Sequence, residues 1–205
     1  HLSVNDDYNA GEFEINAIAK IKDIHKTKDT VIVVGGSGLY VDSICKGLDK
    51  MPEIPNQIRL KLNLTLKEKG IAWLQQEVKK VDPNFYHNCD KKNPQRLLRA
   101  LEIFLATGKT FSSYKSAKTK ERPFEIIKIG LITEREILYQ RINTRVDKML
   151  EKGLLEEVES LIPFQHRNAL QTVGYKEIFA FYNNDCTLEK AVENIKQNTR
   201  RFAKR

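Results

Sequence analysis

The residues best suited to holding a negatively charged partner sit in one short run, Asn93-Pro94-Gln95-Arg96-Leu97-Leu98-Arg99-Ala100-Leu101-Glu102. Gln95 and Arg99 are spaced one helical turn apart, and Arg96 stands three residues before Arg99. An amide beside two guanidinium forks suits phosphates and base edges. A solvated helix face is the competing reading. A second segment offers different chemistry. Val31-Ile32-Val33-Val34 runs into Gly35-Gly36-Ser37-Gly38 and then an apolar helix from Leu39. A strand, a glycine-rich turn and a helix start present free backbone N–H groups to an anion. Ser37 is placed to cap that helix or to donate its hydroxyl, and a plain tight turn is the alternative. Arg145 falls three residues after Ile142 and four before Met149, inside an apolar stripe. An arginine there needs a counter-charge, either an internal carboxylate or a ligand phosphate. Residues 196–205 carry five positive charges and no acid, which fits a solvated face or a phosphate-backbone contact.

The elements that must position these groups follow from periodicity. The pattern predicts helices over 11–26, 39–46, 57–69, 71–80, 94–106, 134–151, 153–161, 175–181 and 188–204. The β-branched run at 30–34 and the alternating-to-apolar run at 125–132 read as strands, the first buried on both faces as in a parallel sheet. Residues 109–122 are polar and lysine-rich and read as a loop. In the helix over 94–106, Leu97, Leu101, Phe104 and Leu105 form the expected core face. Thr133 and Glu136 have capping-box spacing at the start of the helix that carries Arg145. The expected architecture is therefore α/β: part of a core over 1–50, a helical insertion over 51–122, and the remainder of the core with C-terminal helices over 123–205.

With 205 residues the chain can bury one good-sized core and a smaller lobe. A net charge of +8 points toward a polyanionic partner. No run reaches membrane-spanning length, so no membrane association is expected. Cys45, Cys89 and Cys186 are odd in number and lack C-x-x-C spacing, which excludes a disulfide framework or a zinc site. The four histidines show no metal-ligand spacing. Thr107-Gly108-Lys109-Thr110 imitates the tail of a P-loop, but Ile103 occupies the position of the required earlier glycine, and a helix precedes it.

Taken in order, these motifs resemble the tRNA dimethylallyltransferase (tRNA isopentenyltransferase) family. The resemblance spans nearly the whole chain. It rests on Gly35-Gly36-Ser37-Gly38-Leu39-Tyr40, Lys46-Gly47-Leu48 through Pro52 to Arg59, Val81-Asp82-Pro83, and Asn93-Pro94-Gln95-Arg96 to Glu102. Thr107-Gly108-Lys109, Leu138-Tyr139-Gln140-Arg141-Ile142 with Arg145 and Met149, Gly153-Leu154 with Glu156-Glu157-Val158, Val173-Gly174-Tyr175 and Asn198-Thr199-Arg200-Arg201 complete it. The resemblance implies a P-loop NTPase-like parallel-sheet core with a helical insertion domain. It implies transfer of a dimethylallyl group from dimethylallyl diphosphate to N6 of the adenosine 3′ of the tRNA anticodon. Arg145 would then contact the donor diphosphate. Ser37 would meet the tRNA near the reactive adenosine, Arg59 would contact the tRNA, and Gln95, Arg96, Leu97, Leu98 and Arg99 would contact the anticodon stem-loop. Ser37 stands where the family usually has threonine. Magnesium is implied as cofactor. The family's P-loop and aspartate general base have no counterpart here and are expected upstream of His1, so the chain by itself is expected to be incomplete and to contain no catalytic residue. The expected setting is a cytoplasmic monomer. A free-nucleotide prenyltransferase or P-loop kinase-like enzyme, and a non-catalytic RNA-binding fragment, are the alternatives.

Overall fold

In the computed structural model, residues 2–6, 8–116 and 119–204 are described, and they form two compact units. One comprises Tyr8–Ile126; the other joins the N-terminal residues to Ile127–Arg205.

The first unit contains α1 (Ala10–Ile24), α2 (Gly38–Cys45), α3 (Asn56–Val81), α4 (Pro83–Asn88) and α5 (Pro94–Thr107). Local chemistry defines the ends of α5. Asn93 accepts the Arg96 N–H, Pro94 takes the first turn where no donor is needed, and Gly108 closes the helix at φ 70°. Leu97, Leu98, Ala100, Leu101 and Ile103 are buried, and α5 packs along α3 through Leu62, Leu74 and Val78. Burial of each such leucine or isoleucine contributes about 1.5–3 kcal/mol. Leu105, expected in the core, is 54% exposed. The buried stripe is centred on Leu97, Leu101 and the Ile103 flank instead. Trp73 packs beside this core. The expected pair of helices over 57–69 and 71–80 is present, with Gly70 at φ 73°, ψ 178° breaking α3 between them. The Asp82 carboxylate caps α4 at Phe85 and also accepts from the Ser112 amide and hydroxyl, both at 2.8 Å.

A second buried carboxylate ties α1 and α2 to residues far along the chain. Glu14 accepts from Arg122 Nη2 and Lys120 Nζ, both at 2.9 Å, and from the Leu48 amide at 2.8 Å. Arg122 donates in addition to the carbonyls of Ser43 and Ile44 at the end of α2.

The second unit is a helical cluster of α6 (Arg135–Glu151), α7 (Leu154–Ser160), α8 (Tyr175–Tyr182) and α9 (Leu188–Phe202). Val146, Leu154, Val158, Ile178, Phe179 and Ile195 are its buried centre. Thr187 caps α9 by accepting the Lys190 N–H. The expected Thr133–Glu136 capping box does not form: α6 starts at Arg135, and its cap residue Glu134 makes no side-chain bond.

The α/β expectation is corrected by this architecture. Among the described residues there is no strand, hence no parallel sheet and no P-loop NTPase-like core. Both runs read as strands, 30–34 and 125–132, are unpaired chain. Ile32, Val34, Ile129 and Leu131 are largely exposed, and Ile132 is 97% exposed. A β-branched run sets only a local preference for extended backbone. A strand also needs a neighbour to take its N–H and C=O groups, and no described segment supplies one.

Candidate functional site

The residues singled out on α3 and α5 do come together, around an acid. Glu102, on the last turns of α5, is buried. Its carboxylate accepts Arg59 Nε at 2.9 Å and Arg59 Nη2 at 3.2 Å, a bidentate fork from α3. Arg99 Nη1 reaches the same carboxylate at 3.4 Å, while Arg99 Nη2 donates to the Pro52 carbonyl at 3.3 Å. The Glu102 side chain is 4% exposed, but that of Arg59 is 52% exposed. A buried anion thus holds two guanidinium groups whose outer faces meet solvent. Beside them Gln95 and Arg96 are exposed, whereas Leu97 and Leu98 lie in the core at 0% and 2% exposure. Arg99 is therefore a braced cation, not one lying loose on a helix face. Sequence spacing already contained the signal, since Glu102 follows Arg99 at i, i+3, but nothing in it linked Arg59, 43 positions earlier.

Ser37 occupies the residue before α2 at φ −80°, ψ 104°, and its side chain makes no capping bond. Gly35, Gly36, Ser37 and Gly38 are all exposed, and a Cβ at any of the three glycines would meet nothing within 4 Å.

Arg145 belongs to the other unit, on α6. Ile142 and Val146 are buried and Met149 half-buried, but Arg145 itself is exposed. It sits at the margin of the apolar stripe, where a long stem lies along apolar surface while the guanidinium reaches water. No carboxylate pairs with it among the described residues. Of the two partners open to it, an internal carboxylate and a ligand phosphate, the first is thus not present there. Arg145 borders a cavity of about 230 Å³ lined also by Met149, Gly174, Thr199 and Phe202. Hydrogen bonds hold the cavity wall at Gly174. Gly174 has φ 106°, and its N–H donates to the buried Glu177 at 2.9 Å, which also accepts Asn198 Nδ2 at 2.7 Å. Glu177 was not singled out from sequence; its signal is a glutamate three residues into a helix, at capping-box spacing. The adjoining Tyr175 hydroxyl donates to Glu157 at 2.5 Å. That bond, with burial and the Glu157 charge, pushes the Tyr175 phenol up to about 12.

Two of the cations at the end of α9 pair internally. Lys196 meets Asp147 at 2.6 Å, and Arg200 meets Glu193 at 2.9 Å and Asn143 at 2.8 Å. Arg205 lies outside the described residues. Cys45, Cys89 and Cys186 are free thiols. Among the described residues no group of three or more His, Cys, Asp or Glu could hold a metal ion, and no helix is long and apolar enough to cross a membrane.

The model of the IPP transferase family matches residues 1–205. The chain belongs to this family. An IPP transferase relative from Christiangramia forsetii, named tRNA dimethylallyltransferase, is 49% identical over 205 residues, covering 100% of this chain and 68% of the relative. The Flavobacterium johnsoniae protein of the same name is 45% identical over 209 residues, with 99% and 68% coverage. Among solved structures, the tRNA isopentenylpyrophosphate transferase of Bacillus halodurans superposes with a TM-score of 0.62 at 31% identity, over 99% of this chain and 64% of that one. A eukaryotic dimethylallyltransferase acting on tRNA gives a TM-score of 0.72 at 26% identity, over 100% and 53%. This IPP transferase chain thus spans about two thirds of its curated relatives and less of the solved ones.

Proposed function

We propose that this chain supplies the tRNA-holding and donor-holding parts of a tRNA dimethylallyltransferase. The observation that carries the reading is a family match over the whole chain, with relatives of that name at 45–49% identity. The reaction proposed is transfer of the dimethylallyl group of dimethylallyl diphosphate to N6 of the adenosine 3′ of the anticodon. The exocyclic nitrogen forms a bond to the prenyl carbon, the carbon–oxygen bond to diphosphate breaks, and the amine proton leaves to a general base. The base must first leave its stack, at about a few kcal/mol.

Arg145 is assigned to the donor diphosphate, whose charge rises as the carbon–oxygen bond breaks. That no carboxylate pairs with it among the described residues supports this. Ser37, Arg59 and the run Gln95, Arg96, Leu97, Leu98, Arg99 are assigned to the anticodon stem-loop. Within that run the exposed Gln95 and Arg96 and the braced Arg99 are the contact groups, and Leu97 and Leu98 hold the helix beneath them. Magnesium is proposed on the resemblance alone. Among the described residues no group of three or more His, Cys, Asp or Glu could hold it, and no step above is routed through it. A cytoplasmic monomer is the proposed setting.

The test is a transfer assay with the full-length protein, labelled dimethylallyl diphosphate, and either unmodified tRNA or AMP. Label in tRNA at the adenosine 3′ of the anticodon is the expected result. Label in AMP and not in tRNA would overturn it.

A further inference from the structure

Helix α6 carries a row of cations that the donor does not use up. Arg141, Arg145, Lys148 and Lys152 recur at i, i+4, i+7 and i+11, so they share one face within about a sixth of a turn. All four are exposed and line one side of an open groove of about 690 Å³, together with Gln140 and Thr144. None of the four side chains has a hydrogen bond or ion pair among the described residues. Elsewhere in this unit, Lys196 and Arg200 on α9 are engaged by acids. The acids of α6 stay off the row. Asp147 turns to Lys196, while Glu136 falls about a third of a turn and Glu151 about a sixth of a turn outside the row.

Length separates this row from a diphosphate site. Arg141 and Arg145 are one turn apart, about 6 Å along the axis, which matches a single diphosphate. From Arg145 to Lys152 the helix rises about another 10 Å. A diphosphate held at Arg145 leaves Lys148 and Lys152 without an anion. A chain of phosphates would serve both.

We infer that Lys148 and Lys152 form a track for the phosphate backbone of the tRNA, continuing the row that begins at Arg141 and Arg145. The inference rests on the tRNA dimethylallyltransferase reading and deepens it. Two lysines are compact point charges without a fixed fork, so they add affinity without reading sequence. The competing role is local: cations in the last turn of a helix favour its C-terminal dipole.

The experiment is a salt titration of tRNA affinity and a steady-state assay on the full-length protein, wild type against Lys148→Ala/Lys152→Ala and Lys148→Arg/Lys152→Arg. Loss of two phosphate contacts should flatten the plot of log affinity against log salt by about 1.4–1.8 units. The alanine variant's affinity deficit should accordingly shrink about ninefold between 50 and 200 mM salt. The KM for tRNA should rise, the KM for dimethylallyl diphosphate should not move, and the arginine variant should restore the slope. An unchanged slope overturns the track. A lower melting temperature with an unchanged slope also overturns it and leaves the dipole role. A wild-type protein that transfers no prenyl group to tRNA overturns the underlying reading, and that outcome is seen before any variant is compared.

Discussion

Replacing Arg59 by alanine should destabilise the protein more than neutralising Glu102, and the two effects should not add. In the folded protein Glu102 is buried with three guanidinium donors on its carboxylate, two from Arg59 and one from Arg99. Arg59→Ala removes the two shorter bonds and leaves a buried carboxylate with one contact at 3.4 Å. Stranding a fully buried charge costs about 3–5 kcal/mol. Arg59 is half exposed, so its pair is partly screened already, and about 2–3 kcal/mol is expected here. Glu102→Gln strands less. The shape is kept, and both arginines can turn to water, so about 1–1.5 kcal/mol is expected. With Glu102 neutral, Arg59 has no buried charge left to satisfy. The double variant should therefore lie close to Glu102→Gln alone, a coupling of about 2–3 kcal/mol. Urea unfolding of the four full-length proteins reads this as midpoint shifts at constant slope. An Arg59→Ala loss below about 0.5 kcal/mol, additive with Glu102→Gln, would refute the brace.

Arg145→Ala should lower kcat/KM for dimethylallyl diphosphate about a hundredfold, on the order of 3 kcal/mol. Since Arg145 has no ion pair among the described residues, the variant's melting temperature and tRNA salt slope should hold, which kinetics, melting and salt titration check together. Burial pushes the Glu14 carboxyl up, but Arg122, Lys120 and the Leu48 amide outweigh it and hold the group below its ordinary 4.5. Its stabilising effect is therefore present above pH 4.5 and is lost as pH falls below that, so Glu14→Gln should weaken the acid sensitivity seen in urea melts at pH 6 and pH 3.5. Tyr175, pushed up to about 12, should show an ultraviolet titration step near that pH, and Glu157→Gln should return it toward 10. The stability linked to its proton is present below pH 10 and declines between pH 10 and 12.

Features governed by near neighbours were legible in the sequence. Asn93-Pro94 at one end and Gly108 at the other bound α5, and Gly70 divides α3 where the two periodic patterns meet. Features that depend on distant partners were not. The runs at 30–34 and 125–132 have strand composition, but pairing is decided elsewhere in space, and among the described residues they pair with nothing. Arg145 reads as a buried charge when residues are assigned to a stripe, yet its stem is long enough to carry the charge out of it. Arg99 and Arg59 read as two separate cations, and only the fold reveals the shared acid. The cations of α9 read as a row without an acid; Asp147 becomes a partner of Lys196 only once α6 and α9 pack, while Glu193 reaches Arg200 along α9 itself.

The bonds around Glu14 also bear on how the chain can be cut and rejoined. The Lys120 amide donates to the Lys46 carbonyl at 2.8 Å, and the Ser116 hydroxyl donates to Asp49 at 2.5 Å across 67 positions. The stretch between these clasps, which holds α3, α4 and α5, therefore leaves and returns at nearly the same place. A segment with adjacent ends behaves as a cassette, because shortening or exchanging it places little demand on the chain that flanks it. Residues 8–48 and 119–126 could keep their mutual bonds while the arm that carries Arg59, Arg96 and Arg99 is lengthened, trimmed or replaced. In such a fold the reach of these arginines can be altered independently of the seat on which they are mounted.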